Sequence, residues 1–133
     1  LRRLPGSGCV VRTAYFDLLE SGGRIAGLVH RGFWSDIGSP AEYLRCNMDI
    51  LGGSAGGLVP RGRLEGGSLF GEGVSIGAGS RVGRGVVLAD GATVAAGADL
   101  QGCVVWSGAE AGGTLRSAIV GKTFVVDVEG VRS

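Results

Sequence analysis

The chain has 133 residues, 44% of them apolar and 28 of them glycine; with only 3 prolines and no three-residue glycine period it is neither a disordered tail nor a collagen. A net charge of +1 gives no field for nucleic acid or anionic lipid, and no apolar run of about 18 residues is present to span a membrane. Three widely spaced cysteines make no disulfide framework, and no charged-then-apolar leader opens the chain, so the expected setting is reducing and cytoplasmic.

The chain opens on Leu1-Arg2-Arg3-Leu4 without methionine, which reads as the interior of something longer. Ala14 to Leu19 predicts a short helix ending before Ser21-Gly22-Gly23. Arg24 to His30 alternates as a strand does, Arg31-Gly32 suits a turn, and Phe33-Trp34 opens a second strand, so a hairpin is expected. Ser39-Pro40-Ala41-Glu42 carries a helix start. Ser39 caps the amide of Glu42, Glu42 reaches back to Ser39, and Pro40 loses nothing at the first helical position. Leu44, Met48 and Leu51 form the apolar stripe, and Gly52 ends the helix.

Gly52 to Gly57 is a small-residue linker, so residues 1–53 and 54–133 are expected to form separate parts. Beyond it lies a repeat. Leu58, Leu64, Phe70, Ile76, Val82, Leu88, Val94, Leu100 and Trp106 stand six apart, all large and apolar. Three places on stand Gly67, Gly73, Gly79, Gly85, Gly91 and Gly97, then Cys103 and Ala109. The next row, Ser68 to Val104, is small or β-branched. A six-residue period of apolar, glycine and small residues is a hexapeptide β-helix signature. One large side chain per strand points inward, and glycine turns each corner. The register is expected to slip after Trp106, with Ser107 to Thr114 as a distorted corner and Phe124 to Val131 as a closing strand. The expected fold is mainly β: a parallel β-helix of about three coils behind a small α/β segment.

Gly32 to Leu44 resembles the sugar-1-phosphate nucleotidyltransferases, the mannose-1-phosphate guanylyltransferases above all. Their catalytic domain closes on a stretch like W-x-D-I-G-T-P-x-x-Y-L-x-A-N; here it runs from Trp34 to Asn47, with Ser39 for threonine and Cys46 for alanine. Many members continue into a left-handed β-helix of hexapeptides, so the resemblance covers nearly the whole chain, weakening after Val120. It implies a left-handed coil, homo-oligomers through the β-helix, and a parent activity joining a nucleotide to a sugar 1-phosphate, with GDP-mannose the first guess. It also implies that Asp36 is one of two carboxylates on a catalytic Mg²⁺. The other carboxylate and the glycine-rich phosphate loop have no counterpart here, so the chain alone is expected to be inactive.

Other candidates read more plainly. His30, the one histidine, is expected to be a partly buried structural residue. Cys9, Cys46 and Cys103 lack metal-ligand spacing and are expected to be buried. Trp34 is expected to pack the hairpin and Trp106 the core. Arg61, Arg63, Arg81 and Arg84 are solvated charges, with an anionic effector as their functional alternative. A hexapeptide acyltransferase needs a histidine on the repeat, and residues 58–133 contain none. A non-catalytic scaffold remains the alternative to the nucleotidyltransferase part.

Overall fold

The computed structural model describes residues 6–58 and 60–128, and the chain divides into two compact units, Leu1–Arg31 and Gly32–Ser133. In the first unit a π-helical turn, Val11–Tyr15, runs directly into α1, Phe16–Glu20. Gly23 donates to the Leu18 carbonyl (2.8 Å) and ends it where the glycine pair predicts. None of the described residues of this unit is buried.

The expected hairpin does not form. Residues 24–34 hold neither helix nor strand. Gly27 breaks the alternation and sets Leu28 and Val29 side by side, so no single apolar face exists for a sheet to bury. A lone two-stranded ribbon is marginal in water in any case. Leu28, Val29 and Trp34 are 95%, 79% and 76% exposed, so Trp34 packs no hairpin.

The second unit begins with the helix that the sequence marks. α2, Pro40–Leu51, starts on Ser39, whose hydroxyl accepts from the Glu42 amide at 3.2 Å. The Glu42 carboxylate reaches back as expected, taking the Ser39 hydroxyl (2.9 Å) and the Gly38 amide (3.2 Å). At the other end Gly53 donates to Ile50 and Ser54 to Asp49, a complete Schellman closure. Its left-handed residue is Gly53 (φ 76°), one beyond the expected Gly52.

Beyond α2 the chain winds into a parallel β-solenoid of about three turns. Among the described residues its strands are β1 Arg63–Glu65, β2 Ser68–Phe70, β3 Ser75–Ile76, β4 Arg81–Val82, β5 Val87–Leu88, β6 Thr93–Val94, β7 Asp99–Gln101, β8 Val104–Val105, β9 Glu110–Ala111, β10 Thr114–Arg116, β11 Ala118–Val120 and β12 Val125–Asp127. They form three sheets: A, in the order β1-β2-β5-β8-β11-β12; B, β3-β6-β9; and C, β10-β7-β4. Among the described residues only β1 and β12 run antiparallel to their neighbours, closing the two ends of sheet A. The closing strand expected near the C-terminus is β12; residues 129–131 of that expectation lie outside the described residues.

The core lies inside the coils. Leu88, Val94, Leu100, Val105 and Val120 are fully buried there, with Val86, Ala92, Ala98 and Cys103 beside them. In the first coils Phe70 pairs with Leu88, Ile76 with Val94 and Val82 with Leu100, eighteen positions on in each case. Leu88 then pairs with Val105, not Trp106. The register therefore slips by one residue already before Trp106, and it slips again after it as expected, where Leu115 pairs with Leu100 and Val120 with Val105, fifteen positions on in each case. The left-handed glycine after Gly97 is Gly102, and the next is Gly108. Cys103 thus takes the small inward place, and Trp106 points out of the core, 44% exposed. The segment expected to be a distorted corner holds β9 and, beyond it, a corner shortened by two residues, since Ala111 and Leu115 stand four apart where Val94 and Leu100 stand six apart. Leu58 stands outside the strands, and Leu64 pairs with Leu69 on the outer side of sheet A, so neither continues the inward row.

Candidate functional site on the outer face of sheet A

An outer column distinguishes sheet A. Strand register aligns Leu64, Leu69, Val87, Val104, Ile119 and Val126 across all six strands. Side chains alternate across a strand, so these lie opposite the inward residues. Sheet A is therefore apolar on both faces. α2 covers the middle of it: Leu44, fully buried, packs with Val104, Ile119 and Val128, flanked by Ala41, Tyr43 and Met48.

The helix leaves an apolar groove toward either end of the sheet. One, of about 270 Å³, is lined by Asn47, Ile50, Leu51, Leu58, Pro60, Leu69 and Val87. The other, of about 330 Å³, lies by the start of α2 and includes Ile37, Pro40, Tyr43, Trp106, Ile119 and Phe124. Its rings meet edge to face, Trp106 standing 5.2 Å from Phe124 and 6.4 Å from Tyr43. Among the described residues no charged side chain lines either groove. Linings of this kind suit apolar groups.

The residues singled out from sequence are dispersed. Asp36 is exposed, just before the groove-lining Ile37. Among the described residues no group of three His, Cys, Asp or Glu is placed to hold a metal. Magnesium takes several oxygen ligands, so one exposed carboxylate does not by itself build its site. His30 is exposed rather than partly buried. Cys9 is exposed too, against expectation, because the short helix beside it covers nothing; Cys46 and Cys103 are buried. Burial pushes the Cys103 thiol above its usual range, opposed by hydrogen bonding to the backbone of Ala118 and Gln101. That thiol donates to the Gln101 carbonyl at 3.2 Å. It is a core residue rather than a nucleophile.

Arg63 forms an ion pair with Glu65 and lies 4.8 Å over the Phe70 ring. Arg61, Arg81 and Arg84 are exposed. Sequence reasoning passed over Arg116, which donates to both the carbonyl (2.8 Å) and the carboxylate (2.9 Å) of Asp99. It also missed the outer column, whose signal was present. The sheet A strands carry adjacent apolar pairs, Leu69-Phe70, Val87-Leu88, Val104-Val105 and Ile119-Val120. The other sheets alternate, as in Ser75-Ile76, Arg81-Val82, Thr93-Val94 and Asp99-Leu100.

No protein-family model matches the chain, and no curated protein matches it. Among the described residues no helix is long and apolar enough to cross a membrane.

Proposed function

We propose that this chain is the C-terminal part of a cytoplasmic sugar-1-phosphate nucleotidyltransferase whose parent enzyme takes GTP and mannose 1-phosphate. In this reading the solenoid is a left-handed β-helix of hexapeptides serving assembly or regulation, and copies associate through it. Asp36 supplies one carboxylate to a Mg²⁺ shared with the parent catalytic domain. That ion offsets the charge of two anionic reactants brought together. The supporting observation is that the Trp34–Asn47 stretch and the solenoid belong to one compact unit, joined through Leu44.

The test is to read and express the frame upstream of Leu1. The expected product adds about one domain's length, roughly 200 residues, and opens on a glycine-rich phosphate loop. It releases pyrophosphate from GTP and mannose 1-phosphate with Mg²⁺, and Asp36→Asn lowers kcat by roughly a hundredfold. A start codon just before Leu1, or turnover by this chain alone, overturns the reading. The scaffold alternative has its own support, the uncharged lining of both grooves on sheet A. It gains the lead if the upstream frame is absent.

A further inference from the structure

The solenoid's two ends differ. At the last coil the inward residues Ala111, Ala118 and Val120 are at most 1% exposed and Leu115 is partly buried. At the first coil the inward Ile76 is 48% exposed and Phe70, Val74 and Val82 are only partly buried, while Leu64, on the outer side of sheet A, is 54% exposed. Each end is closed on one side only, by an antiparallel strand of sheet A, β1 or β12, that among the described residues has no strand on its other edge. Free strand edges beside exposed apolar side chains are pairing surfaces.

The composition of β1 selects the partner. Its three residues are Arg63, Leu64 and Glu65, all exposed. Consider a second copy laid antiparallel against this edge, with the two-fold axis at Leu64. Leu64 then faces the other Leu64. Arg63 faces the other copy's Glu65, and Glu65 the other copy's Arg63. Both charge pairs are complementary, and both fall on one face, since residues two apart share a face. The leucine contact would carry the outer apolar column of sheet A, which begins at Leu64, straight into the second copy. A two-fold contact of this kind closes on itself as a dimer; head-to-tail stacking of coils would not.

We infer that the first-coil end of the solenoid is a self-association surface, centred on β1, that joins two copies of this chain edge to edge. This deepens the assembly role proposed above and rests on it; the nucleotidyltransferase activity is not required.

The test uses the chain in sedimentation and light scattering at up to about 100 μM, a range that reads modest affinities. The wild type is expected to be a dimer. Arg63→Glu puts two carboxylates opposite each other across the axis, and Glu65→Arg puts two guanidinium groups there. Each is expected to weaken the dimer by tenfold or more. An equimolar mixture of the two variants is expected to restore it, because every facing pair is again of opposite charge. The double variant Arg63→Glu/Glu65→Arg is expected to dimerise like the wild type. Restoration by mixing excludes simple misfolding of either variant. A wild type that stays monomeric overturns both this inference and the assembly reading. A dimer indifferent to both charge reversals, or growth into larger species, overturns the inference alone and leaves the assembly reading standing.

Discussion

Sheet A and sheets B and C are built by the same coils and differ in what covers them. Sheets B and C have three strands each and alternate polar and apolar residues, so one face meets the core and the other meets water. Sheet A has six strands, is apolar on both faces, is closed by an antiparallel strand at either end and carries α2 on its outside. The interior of a solenoid is thus a common property of its coils. The identity of this one is written on the single outer face that departs from alternation.

The largest effect should come from breaking that departure. Leu44 is fully buried against Val104 and Ile119 of sheet A. Leu44→Ala is expected to cost about 2–5 kcal/mol, as large-to-small changes at buried leucines do. Urea titration measures the total, and hydrogen exchange should show residues 40–51 losing protection before the strands of sheets B and C. Equal loss everywhere would mean that helix and solenoid unfold as one unit.

Next in size is a corner where sheet B gives way to sheet C. A Cβ at Gly77 would lie against the Ala96 amide nitrogen and 2.7 Å from the carbonyl carbon of Ala95, backbone of the next coil. Gly77→Ala therefore forces the coils apart, at about 1–3 kcal/mol by the usual cost of overpacking. A thermal midpoint unchanged by this substitution would show that the stack there is softer than its spacing implies.

The sequence shows the coil interior well because one constraint repeats. A large residue inward and a glycine at the corner recur often enough to outweigh local noise. The slip before Trp106 was also visible, since Gly102 and Gly108 continue the corner glycines one place early. Following the apolar row instead put Trp106 in the core, because Val105 and Trp106 are both large and only stacking decides between them. The hairpin failed for the opposite reason. Arg24 to His30 has local β character, yet a strand is made by its partner, and Gly27 leaves no coherent face to attract one. Asp36 shows the limit for sites: its motif is recognisable, while a metal site is a spatial gathering of ligands that a linear motif alone cannot supply.

A smaller effect tests the helix that marks sheet A. Ser39 caps α2 through the Glu42 amide while Glu42 holds the Ser39 hydroxyl. Ser39→Ala removes both contacts and is expected to cost about 1 kcal/mol. Because α2 packs mainly against sheet A, the loss should appear as faster exchange in its first turn with little change in the strands. Ser39→Asp, which restores an acceptor at the cap, should recover part of it.

The smallest effect is expected on the plain side of the comparison. Thr93 lies on the outer face of sheet B, in register between Ser75 and Glu110. Thr93 is only half-buried and α2 packs on sheet A, so Thr93→Ala should change stability by less than about 0.5 kcal/mol, as substitutions away from packed features do. The value gains meaning when measured at two concentrations, one on each side of the dimer transition. A pairing centred on β1 leaves sheet B in water in both states, so the effect should stay small in each. If Thr93→Ala cost more than about 1 kcal/mol only at the higher concentration, the copies would be meeting through the alternating face. The distinction between a recognition sheet and two solvated ones would then have to be given up.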